Sequence, residues 1–232
     1  MKAHSENPFF RRIRSFARRD SRMTAGQSQA WDRSAPVFCL QQKDGKLDAV
    51  AAFGREAPSY LEIGFGSGQS LAALAEQKPE LNFIGIETFK PGIGALLMRI
   101  EAVPLSNVRI YYADAVEVLE QCIPDQSLQG IQIFFPDPWP KSRHHKRRLI
   151  QSPFIHLVAQ KLRPDGLLHL ATDWEHYAKG MMQVLSAEPS LRNLAGPGKF
   201  AERSSQRPLV TKFEGRGEQE GRAIWELQFA RV

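Results

Sequence analysis

The chain has 232 residues, 42% of them hydrophobic, which suits one sizeable α/β domain, and no apolar run reaches the roughly 18 residues that a membrane span needs. Its two cysteines, Cys39 and Cys122, are far apart with no partner pattern; this argues against a disulfide framework or a zinc site and for a reduced, cytoplasmic setting. The net charge of +6 is concentrated in two blocks, one in the first 35 residues and one at 141–148, and two separated basic blocks point to a polyanionic partner, most simply nucleic acid.

In chain order, residues 1–35 read as a basic arm ahead of a single domain over 36–232. The arm carries Arg11, Arg12, Arg14, Arg18, Arg19 and Arg22 but lacks the apolar core of a secretory signal. An Arg-rich start also fits an organelle transit peptide. Phe9, Phe10 and Phe16 are candidates to pack the arm onto the domain. A charge run taken alone reads first as a solvated arm.

From Ser59 the pattern becomes regular. "SYLEIGFGSG" is a buried strand running into a glycine loop, and "QSLAALAEQ" is a helix. "LNFIGIET" and "NVRIYYAD" are strands, each followed by a helix, "GIGALLMRIEAV" and "AVEVLEQCI". "GIQIFFPDP" is a strand, "LIQSPFIHLVAQKL" a helix, "GLLHLATD" a strand and "WEHYAKGMMQVLSA" a helix. This alternation predicts crossover units and a mostly parallel sheet with helices on both faces. The stretch "PSLRNLAGPGKFAERSSQRP" reads as a loop. The tail "RPLVTKFEGRGEQEGRAIWELQFARV" reads as two strands around a polar, glycine-bearing turn, an antiparallel hairpin at the sheet edge.

The first strand ends in Glu62, Gly64, Gly66 and Gly68. In open α/β sheets ligands bind beyond the carboxyl ends of the strands, and glycines let the backbone approach a ligand closely. The dinucleotide fingerprint G-x-G-x-x-G fails here. Counted from Gly64 it needs glycine where Gln69 stands; counted from Gly66, where Leu71 stands. Glu87 ends the second strand, 19 residues after Gly68, where a carboxylate suits a ribose diol. Asp114 ends the third, within reach of an adenine amine, and Glu62 suits an ammonium. Together they fit a nucleoside with a zwitterionic amino-acid tail and no phosphate, which is S-adenosylmethionine.

The stretch "IQIFFPDPWPKSRHHKRR" runs from a strand into one acid between prolines, a tryptophan and a basic cluster. The prolines would hold Asp137 fixed. Trp139 or Phe135 would stack on a target base, or Trp139 would simply lid the strand end. His144 and His145 read as basic-loop residues; no acid or cysteine cluster lies nearby in sequence, so no metal is expected. Asp173, before "WEHY", suits a helix N-cap or a substrate contact.

With these motifs in view, the chain resembles the bacterial tRNA (guanine-N7)-methyltransferases, the TrmB type. The likeness rests on "IRSFARRDSRMTAGQSQA", "LEIGFGSGQSL", "GIETFKPGI", "FFPDPWPKSRHHKRRL", "LHLATDWEHYA" and "RPLVTKFEGRGEQEG". The resemblance implies a Rossmann-like class I methyltransferase fold with a seven-stranded sheet, bound S-adenosylmethionine, and methylation at N7 of a guanine in the variable loop of tRNA, position 46 in the family. It places Glu62, Glu87, Asp114 and Asp137 on cofactor-site acids, with Asp137 also in the catalytic role. It places Lys141, Asp173, Thr211, Lys212, Phe213 and Glu214 on substrate-contact positions. Arg143, His144, His145, Lys146, Arg147 and Arg148 fall on the RNA-contact loop. One departure is Gly221-Arg222, where the family often reads G-H; another, minor, is Ser67 in the glycine loop.

The competing readings are a class I methyltransferase acting on another RNA or a small molecule, and a catalytically weak tRNA-binding module. The two basic blocks disfavour a small substrate, and the intact acids disfavour lost catalysis. A monomer is the expected state, with a homodimer left open.

Overall fold

The computed structural model describes residues 22–204, 207 and 212–232. Most of the basic arm, including Phe9, Phe10 and Phe16, lies outside the described residues. The elements run α1 (Ala25–Phe38), β1 (Cys39–Leu40), α2 (Ala49–Phe53), β2 (Ser59–Ile63), α3 (Gln69–Gln77), β3 (Asn82–Glu87), α4 (Lys90–Ala102), β4 (Val108–Tyr112) and α5 (Ala115–Gln121). They continue with β5 (Leu128–Phe134), α6 (Ser152–Lys161), β6 (Leu162–Thr172), α7 (Glu175–Ser186), β7 (Leu191–Asn193), α8 (Lys212–Gln219) and β8 (Trp225–Arg231).

The strands form one sheet in the order β1-β4-β3-β2-β5-β6-β8-β7. β1 to β6 are parallel, whereas β8 runs antiparallel to both β6 and β7. The sheet has one strand more than the seven expected, because two-residue β1 adds an edge beside β4.

The antiparallel C-terminal edge is present, but its parts differ from the sequence reading. Lys212–Gln219, read as the end of a strand and the turn of a hairpin, is the helix α8. The partner of β8 at the edge is β7, which sits inside the stretch read as a loop. The cause is local: β7 is only three residues long, too short for alternation to register.

Two apolar clusters cover the two faces of the sheet. Leu71, Ile93 and Leu96 join α1, α3 and α4 on one face, while Val118, Ile155 and Met181 pack α5, α6 and α7 on the other. Helix α1 starts at Thr24, which accepts from the Gln27 backbone while the Gln27 side chain accepts in return, a reciprocal cap. It is bound to α4 by Arg33 and Ser34, both on Glu101, so the boundary expected at 35/36 falls inside this helix. Among the described residues, no helix is long and apolar enough to cross a membrane.

The chain order fixes where a ligand belongs. From β2 the chain builds outward through β3 and β4, then returns to lay β5 on the other side of β2. The strand order therefore reverses between β2 and β5, and the loops leaving their carboxyl ends flank a crevice. Those loops are the glycine loop and the Pro-Asp-Pro-Trp-Pro segment.

Candidate active site

A cleft of about 550 Å³ opens at this switch point, bordered by Gly64, Gly66, Glu87, Asp137, Asp173 and Arg222 among others. Its floor is set by how closely the backbone packs. Gly68 begins α3 in the left-handed region, with φ of 70°, and a Cβ there would lie 2.6 Å from the Leu96 side chain. A Cβ on Gly92 would lie 2.1 Å from the Gly66 carbonyl oxygen. The glycine loop is thus clamped between α3 and α4, with the Gly64 and Gly68 N–H groups on the Ile86 and Phe65 carbonyls and the Gly66 N–H turned to Glu87.

Glu87 holds the loop. One carboxylate oxygen accepts from the Gly66 N–H at 2.9 Å; the other accepts from the N–H groups of Thr88 and Phe89. Oε2, with the single Gly66 donor, keeps a second lone pair for a ligand hydroxyl. Asp114 caps α5 by accepting from the Val116 N–H at 2.9 Å, and its neighbours Ala113 and Ala115 line the cleft.

Glu62 sits in the middle of the sheet, between Gly85 of β3 and Gln132 of β5 in register. It is 5% exposed, and its Oε2 is buried with no hydrogen-bond partner. Burial pushes its carboxyl up to about 8; Glu87 adds to the rise and Arg207 opposes it. An unsatisfied buried carboxylate is costly. An ammonium placed beside Oε2 would satisfy it, so the residues present fit the zwitterionic tail inferred from the sequence.

Asp137 lines the opposite wall. Its loop is bent at both sides: Phe135 has φ of 50° and Trp139 φ of 44°, a region bulky residues rarely occupy. Two arginines over-determine it. Arg148 donates through Nε to the Pro138 carbonyl at 2.9 Å, lies over the Tyr177 ring and reaches His176. Arg207, 1% exposed, lies over the rings of Phe134 and Phe135, each 5.3 Å away. Arg207 is paired with Glu214 and, at 2.7 Å, with Glu226. Glu226 in turn meets His169 Nε2 at 2.6 Å.

The expected site residues divide accordingly. Gly64, Gly66, Glu87 and Asp137 border one crevice, and Glu62 and Asp114 stand next in the chain to the bordering Ile63, Ala113 and Ala115; Gly68 caps α3 behind the loop. Asp173, at the end of β6, faces the same cleft. Glu214 is fully buried in the pairs with Arg203 and Arg207, holding α8 in place from below. Thr211 lies outside the described residues, as do the side chains of Lys212 and Phe213. Lys141 is exposed at the start of a short 3-10 turn, Ser142–Arg147.

In that turn, Arg143, Lys146 and Arg147 are exposed and Arg147 lies 5.0 Å over the Trp139 ring, with the His144 ring at its edge. His144 is held below the usual histidine range, first by partial burial and then by Arg143, Arg147, Lys141 and Lys146. His145 packs on His176. Arg148 alone in this block is buried, at 8% exposure. Sequence reading missed Arg207, whose burial no local pattern signals, and the contact made by Arg222. Among the described residues, no group of three or more His, Cys, Asp or Glu could hold a metal ion.

A parallel sheet with a glycine loop and strand-end acids at its switch point, and no fingerprint for a pyrophosphate, is the arrangement of a nucleoside-binding transferase of the Rossmann-like methyltransferase class. Solved structures agree at the level of fold: the 16S rRNA methyltransferase KamB matches 81% of this chain and 95% of its own at a TM-score of 0.59 and 14% identity. An antibiotic-related methyltransferase matches 83% and 95% at 0.58 and 18%. Residues 56–227 match the family model described as "Putative methyltransferase". Curated relatives named tRNA (guanine-N(7)-)-methyltransferase align almost end to end. The Alcanivorax borkumensis protein is 52% identical over 97% of this chain and 96% of its own, and the Idiomarina loihiensis protein 51% over 98% and 92%. The chain belongs to the tRNA (guanine-N7)-methyltransferase family.

Proposed function

We propose that this chain transfers a methyl group from S-adenosylmethionine to N7 of a guanine in tRNA, the variable-loop guanine at position 46, giving 7-methylguanosine. The observation that carries the reading is the meeting, at one switch point, of a buried carboxylate lacking a partner, a rigidly held Asp137 and an exposed basic loop. About half-identity to relatives of that name, over nearly the whole chain, supplies the substrate.

When bound, S-adenosylmethionine supplies a methyl group on a sulfonium, activated for attack by a lone pair. Glu62 takes the ammonium of its tail, Glu87 a ribose hydroxyl, and Asp114 marks the adenine end. The glycine loop excludes side chains from the path of the nucleoside. Guanine N7 has a lone pair and no proton to lose, so no general base is needed. Asp137 accepts from the N1–H and the exocyclic amine of the guanine, which aims N7 at the donor. Its charge also offsets the positive charge that grows on the ring as the methyl arrives. The strained turn keeps the carboxylate from relaxing away, so this stabilisation needs little reorganisation.

Arg143, Lys146 and Arg147 grip phosphates, which sets register without choosing the base; His144 and His145 complete that surface. The base is chosen by the walls at Asp137 and Asp173, and by the shape of the tRNA.

The deciding experiment is methyl transfer from labelled S-adenosylmethionine to an unmodified tRNA transcript, read by nucleoside mass spectrometry. We expect 7-methylguanosine that disappears when the variable-loop guanine is changed to adenine. A different methylated nucleoside, or none despite binding of both substrates, would overturn the reading.

A further inference from the structure

The turn after α8 borders the cleft through Glu220 and Arg222, and Arg222 joins that turn to the end of β6. Arg222 donates to Asp173 Oδ2 through Nε at 2.9 Å, and a terminal nitrogen lies 2.8 Å from the same oxygen as an ion pair. The residues are 49 apart in sequence. Arg222 also closes the end of α8, its N–H donating to the Gly217 carbonyl at 2.8 Å. A Cβ at Gly217 would lie 3.1 Å from the Asp173 Cβ, so helix and strand end are in close contact. Both Asp173 and Arg222 border the cleft, and both are partly buried, at 19% and 31% side-chain exposure.

The use of one oxygen is the informative detail. A carboxylate has two oxygens and about four acceptor sites. Arg222 occupies Oδ2, and Asp173 borders the cleft, so the carboxylate keeps acceptor capacity on Oδ1 for a ligand donor. The guanidinium holds the position of that oxygen from one side, and the contact of Gly217 with the Asp173 Cβ holds the side chain from the other. The other charged group on Arg222 is Glu220, from the end of α8, which pairs with it and keeps it oriented.

We propose that Arg222 is a positioning residue for the guanine site: it dedicates one oxygen of Asp173 to the turn after α8 and leaves the other for a donor on the substrate base, while pinning that turn at the cleft. The proposal rests on the reading of the substrate as a tRNA guanine. The family resemblance often places histidine here. Histidine offers one donor of switchable charge to Asp173, whereas arginine offers a permanent fork. A histidine at this position would lose its charge at about pH 6 to 8 and weaken its hold on Asp173.

The test uses the full chain and three variants, Arg222→Ala, Arg222→Lys and Arg222→His, with methyl transfer to tRNA measured at saturating cofactor. Cofactor affinity is measured separately by calorimetry. Arg222→Ala is expected to lower kcat/KM for tRNA roughly tenfold, with cofactor affinity within about twofold of the parent because Glu62 and Glu87 are untouched. Arg222→Lys should recover part of the loss, as a point charge without the fork. Arg222→His should follow the parent most closely at low pH and fall relative to it as pH rises through the histidine range, since deprotonation leaves a neutral donor in place of an ion pair. Dividing by the parent at each pH removes titrations elsewhere in the protein.

An Arg222→Ala enzyme within twofold of the parent on tRNA would overturn the proposal. Parallel loss of cofactor affinity would do the same, because it would mark a general scaffold role. So would an Arg222→His profile that tracks the parent at every pH. Failure of the parent itself to form 7-methylguanosine would strike the functional reading and would be seen before any variant is compared.

Discussion

Glu62 and Asp173 stand at the carboxyl ends of the strands on either side of β5, yet they are held in different ways. Glu62 is enclosed in the sheet between β3 and β5, with one oxygen left without a partner. Asp173 stands at the rim, partly exposed, and is paired with Arg222 from a distant part of the chain. The contrast extends to their surroundings. The cofactor side is built from backbone: glycines packed to contact, and a Glu87 carboxylate bonded to three N–H groups. The opposite wall is held by charged side chains: Arg148 ties the Asp137 loop to α7, while Arg207 and Arg222 tie α8 and the turn after it to the sheet. A small, invariant nucleoside suits a site whose shape is set by close packing. A large polyanion suits walls that are assembled from cations, some of which are spent internally before any phosphate arrives.

This contrast can be broken at either end. The largest effect is expected from Arg207→Met, which leaves Glu214 and Glu226 buried without their shared cation. Breaking a buried pair of this kind costs about 3 kcal/mol or more, visible in chemical denaturation as a lower midpoint, with methyl transfer failing as the Phe134–Phe135 support is lost. Next is Asp137→Asn, with folding intact. Loss of one preorganised group facing developing charge is expected to cut kcat about 100-fold, seen in single-turnover transfer.

Glu62→Gln should weaken cofactor affinity by about tenfold while tRNA binding holds, which separates the two sides directly. The same residue makes a pH prediction. Its carboxyl is raised to about 8 from an ordinary 4.5, so between those values the folded ligand-free protein holds a proton that the unfolded chain releases. The folded state then binds more protons, and stability falls as pH rises through that window. Glu62→Gln should remove that slope in denaturation measured from pH 5 to 8. Binding a cationic tail should expel the proton, so calorimetry at pH 7 in buffers of different ionisation enthalpy should register proton release.

The smallest effect belongs to Arg147→Ala, an exposed residue on the phosphate-binding turn. It should weaken tRNA binding severalfold and lower the salt slope by about one, leaving the cofactor untouched. Arg148→Ala should behave differently from its neighbour, lowering kcat and stability, because its guanidinium supports the Asp137 loop from inside.

That last pair shows where sequence reading stops. "KSRHHKRR" presents its arginines as equivalents, and a linear charge count has no means of turning one inward. Arg148 turns in because the chain enters α6 at this point and brings it against Tyr177 and the Pro138 carbonyl. Arg222 and Asp173 meet for a similar reason, through the return of β8 along β6. Lys212–Gln219 carries a turn-like composition with two glycines, Gly215 and Gly217. Its helical form depends on Glu214 finding Arg203 and Arg207 beneath it, a long-range interaction that outweighs weak local propensity.

Strand–helix alternation, the glycine loop, the acids at the strand ends and the two basic blocks are all legible in the residues alone. Each of these is a local pattern, set by periodicity, by backbone freedom or by charge within a short window. Only the tertiary structure decided that β2 and β5 would be neighbours, that Glu62 would be left with an unsatisfied oxygen, and which arginines would face inward. Those outcomes depend on contacts between residues tens of positions apart, made once the sheet order had brought their strands together.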